Sequence, residues 1–106
     1  MPAPMGRLLR LNWVTYSLQF HTAALREWHK LGQTVQKQFK AKLAERLAVP
    51  RVEGDRLRGA KDRYKIKLRS SGYRLVYEVH DRILVVSVIA VGKRDRSHVY
   101  RQASKR

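Results

Sequence analysis

Cysteine is absent from the 106 residues, which excludes disulfides, thiolate metal sites and cysteine nucleophiles together and fits a reducing compartment. Long apolar runs are also missing. None approaches the roughly 20 residues of a membrane-spanning helix, and Met1 to Gly6 shows no apolar stretch ahead of a small-residue cleavage site, so no secretory signal and a cytoplasmic location are expected. The four histidines, His21, His29, His80 and His98, lack any metal-ligand spacing, and no metal or other cofactor is expected. Acidic side chains are scarce: 8 Asp plus Glu stand against 24 Lys plus Arg, a net charge of +16.

That imbalance is the first functional statement. A folded domain so charged repels itself, a cost tolerated where the partner is a polyanion. Nucleic acid leads, because neutralising several phosphates releases counterions and gives salt-dependent affinity. An anionic membrane fits less well, since no helix pairs a long basic face with a strongly apolar one. An acidic protein partner is compatible with the first reading. Hydrophobic residues make up 43% of the chain, enough for a core. The length suits one domain over residues 1–106, with 1–12 as an extra N-terminal segment of little pattern.

Val14, Tyr16, Leu18 and Phe20 alternate with polar residues, the period of a half-buried strand. Thr22 can cap a helix carrying Leu25, Trp28 and Leu31, with Gly32 as a left-handed stop. Thr34 offers a second cap, and Val35, Phe39, Leu43 and Leu47 form a helical stripe ending before Pro50. Arg51 to Arg63 reads as a loop. Three strands follow: Tyr64 to Arg69, Tyr73 to Val79 and, after an Asp81-Arg82 turn, the nearly continuous apolar run Ile83 to Val91, which marks a central strand. Gly92 closes it, and a short stretch with Val99 and Tyr100 suits a final helix. The expectation is an α+β fold, β-α-α-β-β-β. Its mainly antiparallel four-stranded sheet carries two N-terminal helices on one face, followed by a short C-terminal helix.

Period two places Lys65, Lys67 and Arg69 on the face opposite Tyr64, Ile66 and Leu68. With Ser71-Gly72 as a two-residue turn, Arg69 opposes Arg74, Lys67 opposes Val76 and Lys65 opposes Glu78. Like charges across a sheet are destabilising, so a function must hold Lys65, Lys67, Arg69 and Arg74 together; edge protection alone asks for fewer. Arg94, just past the central strand, can join them, and Tyr100 can close the concavity or serve as a packing aromatic. RNA carries its own nucleophile, the 2′-hydroxyl. Cations clustered at one phosphate would stabilise the charge added on phosphorus, often the largest catalytic term. A Tyr or Lys among cations has its pKa pushed down, so either could act as base. The His and Glu pair of small ribonucleases has no evident counterpart.

The stretches Leu57-Arg58-Gly59, Tyr64 to Tyr77, Val91 to Ser97 and Val99-Tyr100 closely resemble the RelE toxins of bacterial RelBE toxin–antitoxin systems, and Ala24 to Gly32 matches too. The likeness spans roughly Tyr16 to the C-terminus and implies the RelE-like, microbial-ribonuclease-like fold. It also implies a toxin that enters the ribosomal A site and cuts mRNA there without metal or cofactor, leaving 2′,3′-cyclic phosphate and 5′-hydroxyl ends. The matched catalytic positions are Lys65, Lys67, Arg74, Arg94 and Tyr100. By that resemblance Tyr100 or Lys67 would take the 2′-hydroxyl proton, Lys65 and Arg74 would hold the scissile phosphate, and Arg94 would assist the leaving 5′-oxygen. Arg58, Arg69, Lys93 and Arg96 would grip RNA or ribosomal RNA. The implied partners are the ribosome with its mRNA and a RelB-like antitoxin, with operator DNA reached only through the antitoxin complex and no membrane. Two alternatives stand beside this: a non-catalytic ParE-like toxin acting on DNA gyrase, and a ribosome-independent ribonuclease.

Overall fold

The computed structural model describes residues 15–94 and 98–106. Its elements are β1 (Ser17–Phe20), α1 (Thr22–His29), α2 (Gln33–Ala48), a 3₁₀ turn at Glu53–Asp55, β2 (Arg63–Leu68), β3 (Tyr73–His80), β4 (Val85–Lys93) and α3 (His98–Ser104). The sheet order is β1-β4-β3-β2, with β1 parallel to β4 and the other pairs antiparallel. The expected α+β architecture is present.

Local details differ from expectation. Thr22 is the first helical residue; the cap is His21, whose Nδ1 accepts from the Ala23 amide at 3.1 Å. Gly32 is no left-handed stop. Lys30 keeps right-handed geometry, with its amide reaching the Glu27 and Trp28 carbonyls, so the chain needs no positive φ. Gly32 instead takes an extended conformation before α2, and Thr34 lies inside that helix. The Asp81-Arg82 turn lengthens to Asp81–Leu84, leaving Ile83 exposed outside β4. There the Leu84 amide reaches the Asp81 carbonyl at 3.3 Å with Leu84 at φ 54°. Val14 lies outside the described residues.

Two apolar clusters sandwich the sheet. On one face, Ala24 and Trp28 of α1 and Phe39 and Leu43 of α2 pack on Tyr64, Ile66, Leu75, Tyr77 and Val88, with Val35 and Leu47 at the margin. Leu25, expected on the buried stripe of α1, is exposed, and Ala24 takes its place. Trp28 and Phe39 meet with ring centroids 6.2 Å apart. Phe39 is fully buried, so Phe39→Ala is expected to destabilise by about 3–5 kcal/mol, read as a lowered urea midpoint; an unchanged midpoint would remove Phe39 from the core.

On the opposite face, Val76, Ile89 and Ala90 pack against Val99 and Ala103 of α3. The β3–β4 register shifts between Val76 and Tyr77, whose partners are Ala90 and Val88. The extra residue puts Ile89 and Ala90, neighbours in sequence, into one patch. Gly92 makes room for that helix: a Cβ there would stand 3.3 Å from Val99 Cγ2.

Candidate active site

Tyr64, Ile66 and Leu68 point into the main core, so strand alternation turns Arg63, Lys65 and Lys67 toward the face that α3 shares. There a groove of about 990 Å³ is lined by Lys65, Lys67, Arg74, Arg94 and Tyr100, with Arg58 from the loop before β2. Every side chain expected to be catalytic meets in this one place. The pairing that brings them together differs from expectation. Arg69–Gly72 forms a four-residue connection, with the Gly72 amide on the Leu68 carbonyl at 2.8 Å and Gly72 at φ 78°. Lys67 therefore opposes Arg74, Lys65 opposes Val76 and Arg63 opposes Glu78. Because the slip is two residues, the cations stay on the expected face.

Each wall is fastened independently. The Arg94 amide donates to the Gly72 carbonyl at 2.6 Å, tying the exit of β4 to the β2–β3 turn. Arg74 is largely buried, and its Nη1 donates to the Tyr73 carbonyl at 3.1 Å. The loop carrying Arg58 is pinned by Arg46 to Asp55 at 2.7 Å and by Arg51 to Asp62 at 2.9 Å and Asp81 at 2.8 Å. Tyr100 is half-buried against the second cluster while also lining the groove, so packing and site roles coincide in one ring.

The electrostatics are one-sided. Among the described residues, Lys65, Lys67, Arg74 and Arg94 have no carboxylate partner; Glu78 on the same face binds Arg63 at 2.9 Å and His80 at 3.0 Å. The positive charge of Lys65, followed by desolvation, Arg69 and Arg74, holds the Lys67 amine below the ordinary lysine range. No histidine or carboxylate appears among the described groove-lining residues. Such a surface can seat a phosphodiester and stabilise added negative charge, and it presents amines and a phenol beside that seat.

Two of the expected RNA-gripping residues lie outside this groove. Arg69 lines an adjoining depression with Lys42 and Lys67, Lys93 sits over the Tyr73 ring at 5.9 Å, and Arg96 is outside the described residues. Arg63 and Arg106 also line the groove. Arg63 continues the alternation of Lys65 and Lys67 and could have been found from it. Arg106 pairs with Glu27, 79 positions away, and no local pattern announces that.

Residues 18–98 match the family described as ParE toxin of type II toxin-antitoxin system, parDE. The chain is 60% identical over 93 residues to the mRNA interferase toxin RelE of Escherichia coli strain K12, covering 88% of this chain and 98% of that protein. Its fold is similar to the crystal structure of the isolated E. coli RelE toxin, with a TM-score of 0.74 over 85% of this chain and 96% of the other at 60% identity. The same TM-score and identity relate it to the toxin in the intact E. coli RelBE toxin–antitoxin complex, over 76% of this chain and 99% of that one.

Proposed function

The chain belongs to the RelE/ParE family of type II toxin–antitoxin toxins, and from that premise we propose that it is an mRNA interferase, an endoribonuclease that cuts mRNA in the ribosomal A site. The observation that carries the reading is the convergence of Lys65, Lys67, Arg74, Arg94 and Tyr100 on one groove. In this reading Lys65 and Arg74 seat the scissile phosphate, and the 2′-hydroxyl gives its proton to Tyr100 or Lys67. The oxygen attacks phosphorus in line, the bond to the 5′-oxygen breaks as that oxygen takes up a proton from water, and Arg94 stabilises the charge gathering on the phosphate and leaving group. The products are a 2′,3′-cyclic phosphate and a 5′-hydroxyl. Arg58, Arg69, Lys93 and Arg96 add grip on RNA, and the cytoplasm, where translating ribosomes are, is the place of action. A RelB-like antitoxin would silence the toxin by covering the cationic face or shifting the C-terminal element, and the complex would bind operator DNA.

End chemistry tests the reaction. New 5′ ends in translated mRNA should accept label from polynucleotide kinase without prior dephosphorylation; ends that need dephosphorylation refute it.

A pH profile tests the base. If Lys67 accepts the proton, its active form is the neutral amine, whose share rises with pH until the lowered pKa is passed. The logarithm of the single-turnover rate should then climb with pH and level off below the ordinary lysine range. Lys65→Ala removes the largest cause of the shift and should move the bend to higher pH. A bend that stays put takes Lys67 out of the role.

A further inference from the structure

One wall of the groove is a short helix held from across the sheet. α3 spans 7 residues, too few to be stable alone, so its place depends on what fastens it. Val99 and Ala103 bury against Val76, Ile89 and Ala90, yet apolar contact is non-directional and leaves roll and slide unspecified. Polar ties at the far end supply direction. Arg63 Nη1 donates to the Ala103 carbonyl at 2.6 Å. Arg106 Nη1 donates to the Ile89 carbonyl at 2.9 Å. Both Nη atoms of Arg106 also reach the two carboxylate oxygens of Glu27 on α1, each at 2.9 Å.

Glu27 is itself anchored. Its Oε1 accepts the Val91 amide at 3.1 Å. β1 partners β4 only from Val85 to Val88, so the Ile89 carbonyl and Val91 amide lie on the edge that β1 leaves open, and the Glu27–Arg106 pair fills it. The Arg106 side chain is 13% exposed, so a fork matched to a carboxylate sits largely out of water, where losing the partner is felt strongly.

We infer that Glu27 is a positioning residue for Tyr100: through Arg106 it sets the roll and height of α3, and so where the phenol stands over the phosphate. This rests on the groove being the cleavage site. Glu27 does not line the groove, so its substitution leaves the RNA-contacting surface intact, which substitution of Arg106 would not.

The test compares parent and Glu27→Gln, which keeps an acceptor for the Val91 amide but loses the charge. Single-turnover cleavage on programmed ribosomes should slow about tenfold, as expected when a reacting group is displaced by a fraction of an ångström, with the half-saturating ribosome concentration unchanged. In a Tyr100→Phe background the same substitution should change the rate less than about twofold, because the two changes act on one group. Amide exchange over His98–Ser104 should quicken about tenfold relative to β3. A parental rate in Glu27→Gln, a loss confined to half-saturation, full additivity with Tyr100→Phe, or unchanged exchange in α3 would each overturn the inference. If the parent cuts nothing, the proposed function fails, and the exchange contrast still decides whether Glu27 holds α3.

Discussion

Arg94→Ala is expected to slow mRNA cleavage by about 10²- to 10³-fold, the loss typical of removing one preorganised group from developing transition-state charge. The fold should survive. Arg94 is exposed, is tied to the β2–β3 turn through its backbone amide, and has no ion pair among the described residues. Truncating the side chain therefore subtracts charge from the groove and little else. Arg74→Ala is a poorer probe, because Arg74 is only 8% exposed and its loss would also leave a cavity. Arg94→Lys should recover part of the rate, since an ammonium restores charge without the planar fork that grips two phosphate oxygens. The check is single-turnover cleavage beside a thermal melt. A parental rate in a folded Arg94→Ala protein would sink the assignment.

On programmed ribosomes the chain should cut mRNA at least about 10³-fold faster than the same RNA free in solution, the scale of advantage that imposed geometry can give. The reason lies in what lines the groove. Cations and a phenol are present, but among the described residues no histidine or carboxylate is, so the proton transfers that a balanced acid–base pair would speed by about 10²- to 10⁴-fold are weakly served. A rate useful to a cell must then come from alignment, with the 2′-oxygen held in line with the departing 5′-oxygen, and a free flexible strand rarely adopts that pose. Primer extension with and without ribosomes measures the ratio, and equal rates would refute ribosome dependence.

The cationic face was legible because alternation along Lys65 to Leu68 is a parity, and parity survives a register slip of two. The slip arose because Ser70-Ser71-Gly72 suits more than one turn length, and only the Leu68 to Gly72 hydrogen bond chooses among them. The caps differ from expectation for a related reason. A threonine at a helix start is a common acceptor, but His21 stands one position earlier with a ring nitrogen already in reach. In α1 the apolar spacing favours a stripe through Leu25, whereas the sheet takes Ala24 and Trp28; hydrophobicity alone does not say which side of a short helix will be covered. The tie between Glu27 and Arg106 joins opposite ends of the chain and belongs to tertiary structure entirely.

Lys67 faces Arg74 across the hairpin with Lys65 close by, and the charge of Asp55 offsets this crowding of cations only in part. Ionic strength consequently pulls two properties in opposite directions. Added electrolyte shields these cations from one another and firms the native state, while the same ions weaken the hold on a polyanion. Conditions that keep the purified protein sound on the bench are thus the ones in which it handles its target worst.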